Sequence, residues 1–167
     1  MDNLIWLSGV IFVVMMVVFL VIRVFTTRIN RVWEKHRAET VGKWEAEDIE
    51  YILEPMGGQF GGLESMGKKK VIRGVGFVAL TNKDLRVTRS TPSEQWIVNF
   101  RQMKKITIRH YFLGKRSDKV PFVVIRFAKN GKKDRLGFLV KNYEAWIEAL
   151  EEETGLTAKD ERVTLGK

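Results

Sequence analysis

The chain has no cysteine among its 167 residues, and only three prolines and two histidines. Without cysteine there is no disulfide scaffold, thiolate zinc site, iron–sulfur cluster or cysteine nucleophile. His36 and His110 are far apart, and neither has a partner at metal-ligand spacing. His110 falls on the apolar face of a strand pattern, where a hydrogen-bonded imidazole is the plain reading. No G-x-S-x-G elbow and no H-E-x-x-H helix is present. The carboxylates gather in a connector and in the last helix, where solubility accounts for them. The sequence therefore predicts a protein that is not an enzyme, with no catalytic residue, no cofactor, no metal site and no small-molecule substrate.

Two glycine motifs imitate nucleotide-binding loops and fail. Gly62-Leu-Glu-Ser-Met-Gly67-Lys68-Lys69 approaches a P-loop. Lys69 stands where the magnesium-binding hydroxyl belongs, and a strand pattern follows instead of a helix. Gly74-x-Gly76-x-x-Ala79 imitates a dinucleotide fingerprint but lies inside a strand pattern, so a bent strand is the better reading.

What is abundant is apolar sequence at the start and positive charge after it. Residues 4–22 (LIWLSGVIFVVMMVVFLVI) carry no charge. At ~1.5 Å per residue they would extend about 28 Å as a helix, near the hydrocarbon thickness of a bilayer. The expected reading is a retained, single-pass transmembrane helix. A signal peptide fits badly, since Asp2 stands in the n-region and no small-residue cleavage site follows. Arg23, Arg28, Arg31, Lys35 and Arg37 follow the run, with Glu34 and Glu39 against them. By the positive-inside rule, residues 1–3 are extracytoplasmic and the rest is cytoplasmic, at the cell membrane. Arg23, Arg28, Arg31 and Trp33 are the expected interface anchors.

Residues 23–49 read as a partly helical connector, helical to about Thr40. Glu45, Glu47, Asp48, Glu50 and Glu54 make it acidic, either as a solvated face or as a docking surface for the basic domain. Residues 56–69 are rich in glycine and predict a long loop or hairpin. From Val71 the period becomes two. Strands are expected over 71–80, 85–89, 96–100, 106–112, 120–127 and 136–140, with turns at Asn82-Lys83-Asp84, Thr91-Pro92-Ser93 and Asn130-Gly131. Tyr143, Trp146, Ile147 and Leu150 then fall at helical spacing, with Asn142 as N-cap and Gly155 as terminator. Residues 154–167 read as a polar, frayed tail.

Strand meanders followed by one helix require a sheet covered by that helix, because neither can bury its apolar face alone. Particular runs go further. Gly76-Phe-Val-Ala-Leu-Thr-Asn-Lys-Asp-Leu-Arg-Val87 resembles the strand–turn–strand of GRAM and bacterial PH-like domains. Trp96-Ile-Val-Asn-Phe100, Ile106-Thr-Ile108, Phe112-Leu-Gly-Lys115 and Asn142-Tyr-Glu-Ala-Trp-Ile147 are similar to later elements of that family. The resemblance covers about residues 50–153. It implies a mainly-β PH-like barrel of six or seven antiparallel strands capped by a C-terminal helix, with Trp146 plugging its open end. It also implies phosphoinositide or protein recognition. The family's lipid-binding pattern is not reproduced, since Lys70 and Arg73 are separated by two residues and no K/R-x-R follows.

The net charge is +9, yet residues 65–141 hold 20 Lys and Arg against Asp84, Glu94, Asp118 and Asp134. Such segregation points to an anionic partner. Lys68, Lys69, Lys70, Arg73, Lys115, Arg116 and Lys119 are the expected contacts to anionic lipid headgroups, with Lys104-Lys105 and Lys129, Lys132 and Lys133 as further basic ends. The expected function is a membrane-anchored, non-catalytic adaptor or assembly subunit that binds a membrane or cytoplasmic protein, an anionic surface, or both. Alternatives are nucleic-acid binding, which lacks exposed aromatic platforms, and an accessory subunit of a membrane enzyme or transporter, packed through Ser8-Gly9.

Overall fold

The computed structural model describes residues 2–47, 49–67 and 74–162; the side chains of residues 2–11, 13, 29 and 32 also lie outside the description. The chain divides into two units, Met1–Trp44 and Glu45–Lys167.

The first unit is one helix, α1 (Asp2–Glu45). It runs past Thr40, the expected limit, with no proline to stop it. The side chains from 14 to 22, and Phe12, are apolar and exposed. The single-span reading of 4–22 is corrected here. Among the described residues, no helix is long and apolar enough to cross a membrane. A span needs about 20 consecutive apolar residues. The side chains of residues 4–11 and 13 lie outside the description, and the stretch of described apolar side chains is shorter than that and ends at Arg23 on the same helix.

The second unit is mostly β. Its strands are β1 (Tyr51–Leu63), β2 (Gly74–Thr81), β3 (Asp84–Ser90), β4 (Ser93–Asn99), β5 (Met103–Arg109), β6 (Tyr111–Phe112), β7 (Lys115–Arg116), β8 (Phe122–Lys129) and β9 (Lys132–Val140). Helix α2 (Tyr143–Thr154) and a short β10 (Lys159–Asp160) complete it. The main sheet has eight strands in the order β10-β5-β8-β9-β1-β2-β3-β4, so β4 and β10 are its edges. The expected six or seven antiparallel strands thus become eight, one of them pairing in parallel, with β6–β7 as a separate hairpin. Among the described residues no ladder joins β4 to β5, so the strand order is open.

Residues 56–63 of the glycine-rich stretch expected as a loop or hairpin belong to β1, an inner strand of the sheet, and residues 64–66 form a short 3-10 turn after it; 68–69 lie outside the described residues. β1 pairs with β2 from Tyr51 to Phe60 and with β9 from Gly58 to Leu63. A Cβ at Gly58 would stand 2.9 Å from the Leu139 carbonyl oxygen and from Val78 Cγ2. One at Gly61 would stand 2.8 Å from the Phe122 ring and 2.9 Å from the Gly137 carbonyl oxygen. Close packing rather than turning explains these two glycines, and the register shifts between Phe60 and Gly62 where β1 changes partner.

One face of the sheet buries Phe60, Leu80, Leu85, Ile106, Ile125, Leu136 and Phe138 against α2, which contributes Trp146, Ile147, Ala149 and Leu150. The Trp146 ring meets Phe138 edge-on at 6.0 Å, and its Nε1–H points at Met56 Sδ, 3.0 Å away. A second cluster lies around β8 and β9, where Phe112 of the β6–β7 hairpin packs with Phe122, Val124 and Leu139. Gly137 makes room for it, since a Cβ there would stand 2.4 Å from the Phe112 ring. Coverage on both faces explains why β8 is apolar without alternation. The β8–β9 turn has Asn130 and Gly131 at φ 51° and 74°, the left-handed pair that a two-residue hairpin needs.

Asn142 occupies the N-cap position of α2, but its side chain makes no capping hydrogen bond. Gly155, at φ 65°, ends the helix as expected, its N–H donating to the Glu151 carbonyl at 2.8 Å. The tail expected to fray instead adds β10 beside β5, Lys159 opposite Thr107 and Asp160 opposite Ile108. Glu161 fastens it, accepting from Lys105 Nζ at 3.0 Å and pairing with Arg109. Those two cations, Lys105 first, hold the Glu161 carboxyl below the usual carboxylate range.

Candidate functional site

A cleft of about 730 Å³ opens between β4 and the β8–β9 hairpin, within the range of ligand-sized sites. Gln95, Trp96, Ile97 and Val98 of β4 line it in sequence. Successive strand residues point to opposite faces. Four consecutive lining residues therefore place the cleft along the edge of β4, the side that carries no neighbouring strand among the described residues. Leu63 and Ser65 form one end, and Phe127, Lys129, Lys132, Lys133 and Asp134 the opposite wall.

The aromatic wall is held from behind. The Trp96 ring stacks on Phe60 with centroids 3.8 Å apart and planes 5° from parallel. The Arg89 guanidinium lies 5.6 Å from the Trp96 centroid. It is fixed in turn by Glu94 at 2.8 Å and by the Pro92 carbonyl at 3.1 Å. Ile97 projects from the other face of β4 and is 39% exposed. Opposite, the Ser65 N–H and hydroxyl both donate to the Asp134 carboxylate, at 3.0 and 2.5 Å. That carboxylate also accepts from the Arg135 N–H at 2.7 Å. Arg135 itself pairs with Glu64, an interaction that holds the Glu64 carboxyl below its ordinary range.

The cations of the β unit fall into two groups: those held in ion pairs, and those, such as Lys83, Lys104, Lys119, Arg126 and the three lysines of this wall, that take part in none among the described residues. Lys105, Arg109, Arg116 and Arg135 are each matched to a carboxylate, and so are Arg86, through Asp84 and Glu47, and Arg89. Among the described residues, Lys129, Lys132 and Lys133 take part in no ion pair and are exposed. Lys129 and Lys132 stand directly opposite each other across the hairpin, a position where like charges destabilise a sheet. The cleft thus has an apolar floor and a wall of three exposed lysines beside the Asp134 carboxylate, which Ser65 occupies.

The expected contacts fare differently. Lys68, Lys69, Lys70 and Arg73 lie outside the described residues. Lys115 and Arg116 belong to β7, where Lys115 Nζ donates to Gln59 Oε1 at 3.0 Å and Arg116 pairs with Asp118 at 2.6 Å. Lys119 is exposed in the following loop. None of Lys115, Arg116 and Lys119 lines the cleft. Arg23, Arg28 and Arg31 are exposed on α1, and Trp33 is half-buried there. His110 is half-buried with Nδ1 donating to the Ser117 carbonyl at 2.6 Å, a satisfied imidazole. From the acidic connector, Glu47 reaches the buried Arg86 at 2.7 Å and the Glu50 carbonyl accepts from the Asn82 N–H at 2.9 Å; Asp48 lies outside the described residues. Sequence reading noticed the charge of Lys129, Lys132 and Lys133 but not their site. The missed signal was the three lysines flanking an Asn-Gly hairpin, which sets two of them face to face.

No protein-family model matches this chain, and no curated protein is similar to it.

Proposed function

We propose that this chain is a non-catalytic, PH-like binding module, an adaptor or assembly subunit that recognises an anionic partner through the cleft beside β4. The observation that carries this reading is the wall of three lysines without carboxylate partners, two of them opposed, above an apolar floor. A folded chain that keeps such repulsion has charge available for a ligand. The strand order β4-β3-β2-β1-β9-β8-β5, with a helix after the last strand of the second meander, supports the PH-like reading. A fold of this kind hosts many functions, so the site rather than the fold carries the argument. Nucleic acid is less favoured, because Trp96 is engaged by Phe60 and Arg89 and cannot splay out to stack bases.

The test uses the full chain, kept in solution by a non-ionic detergent because Phe12 and its neighbours on α1 are exposed. Short-chain phosphatidylserine and an acidic peptide serve as anionic probes, with phosphatidylcholine and a basic peptide as controls. Binding of either anionic probe should weaken as salt rises. It should also fall about tenfold or more when Lys129, Lys132 and Lys133 are together changed to Gln. Binding that ignores the triple change would refute the reading.

A further inference from the structure

Resting on that reading, we propose that the partner is an extended acidic peptide that adds as a strand to the free edge of β4. Three observations converge. First, β4 is the terminal strand of the sheet order, and among the described residues it pairs only with β3. An edge strand presents a row of main-chain donors and acceptors, which is a template for another strand. Second, the cleft runs along that edge, because Gln95, Trp96, Ile97 and Val98 line it consecutively. A ligand seated there meets main chain as well as side chains. Third, the opposite wall is Lys129, Lys132 and Lys133, so an entering strand has a free ladder on one side and unmatched ammonium groups on the other.

The sheet's other edge is treated differently. β5 is already covered by β10, with the Glu161 N–H donating to the Ile108 carbonyl at 2.9 Å and its carboxylate held by Lys105 and Arg109. The chain thus contains its own precedent for a short segment laid on an edge strand and fastened by a carboxylate, Glu161, to neighbouring cations. Among the described residues, the edge at β4 has the cations without the segment.

The geometry sets the ligand's pattern. Side chains of an added strand alternate. One set would rest on Leu63, Trp96 and Phe127 and should be apolar. The other would face the lysines and should be carboxylate. Four lining residues of β4 at about 3.4 Å each give a footprint of roughly 14 Å. A hexapeptide therefore suffices, and alternating glutamate and valine is the probe.

The experiment follows amide hydrogen exchange of β4 in the full chain in non-ionic detergent. The alternating Glu/Val hexapeptide, acetylated and amidated, should slow exchange across Ser93–Asn99 about tenfold at saturation. The same peptide N-methylated at alternate amides should bind about tenfold more weakly, because the main-chain bonds are lost. Its Lys/Val counterpart should not bind. Changing Lys129, Lys132 and Lys133 to Gln should weaken the acidic peptide about tenfold while leaving the thermal transition intact. Equal binding of the methylated peptide, or binding without slowed exchange in β4, would overturn strand addition. If short-chain phosphatidylserine binds in a lysine-dependent way and the peptide does not, the peptide proposal fails while the anion-binding reading survives. If neither binds, both fail.

Discussion

Replacing Trp146 by Ala tests whether α2 closes the core of the β unit. Trp146 is 2% exposed and is among the largest fully enclosed side chains. Its removal deletes the edge-on contact with Phe138 and the contact with Met56. It leaves a cavity between α2 and β1. The sheet strands around that site are tied by paired ladders and cannot collapse into it, so the full cost of about 3–5 kcal/mol applies. Domains of this size have about 5–15 kcal/mol in total. The thermal midpoint should therefore drop by on the order of 10–20 °C. The assay is near-ultraviolet circular dichroism of the full chain in non-ionic detergent, which follows aromatic packing in the sheet. Trp146→Phe keeps a ring against Phe138 and should cost roughly 1–2 kcal/mol. A midpoint within about 2 °C of the parent for the Ala variant would refute the assignment of Trp146 to the core. Equal losses for Phe and Ala would show that the contact with Met56, not the ring volume, matters.

Three further outcomes are expected. Gly76→Ala should destabilise by about 1–3 kcal/mol or more, because its Cβ would lie 1.9 Å from the Thr88 carbonyl oxygen; Gly57→Ala, with nothing within 4 Å, should stay within about 0.5 kcal/mol in the same urea titration. The Glu161 carboxyl has its pKa lowered from 4.5, chiefly by the hydrogen bond from Lys105, so its contribution is complete above that ordinary value and is lost as pH falls through the lowered one. The protection factors of β10 and β5, the intrinsic rate divided by the observed exchange at each pH, should accordingly fall below about pH 4.5 and stay constant between pH 6 and 8; protection unchanged down to pH 3 would contradict the ion pair. Lys129→Gln should raise the urea midpoint slightly, by removing a like-charge cross-strand pair, while weakening anionic probes; a loss of stability would mean that Lys129 supports the hairpin.

Legibility followed the range of the interaction that decides each element. The Asn130-Gly131 turn, the alternation of Trp96 and Val98 with Ile97 and Asn99 in β4 and the stripe Trp146, Ile147, Leu150 depend on neighbours in sequence and were readable, whereas β3, expected to be half-buried, buries Arg86, Thr88 and Arg89 as well as Leu85 and Val87. The glycine-rich β1 was not, because what forbids a side chain at Gly58 and Gly61 includes Leu139, Phe122 and Gly137, about sixty to eighty residues away. Nor was β10, whose polar sequence is held by Lys105 and Arg109 from another strand. The apolar run at 4–22 shows the reverse. Composition made it the plainest feature of the sequence, yet no described helix is long and apolar enough to cross a membrane.

The candidate site was half legible for a related reason. Sequence counts cations and cannot subtract those that folding neutralises. Of the 20 Lys and Arg in residues 65–141, Arg86, Arg89, Lys105, Arg109, Arg116 and Arg135 are matched to carboxylates. Arg86, Arg89 and Arg135 work inside the fold, the first two almost wholly buried. The partners that neutralise them come partly from outside the basic stretch, Glu47, Glu64 and Glu161 among them. What matters for an anionic partner is the residue of that subtraction. On the β8–β9 hairpin it leaves Lys129, Lys132 and Lys133, which face the free edge of β4 across an apolar floor. Charge by itself gives weak, salt-screened attraction to any anion. Joined to an unpaired ladder it becomes selective, because the ladder accepts only an extended main chain.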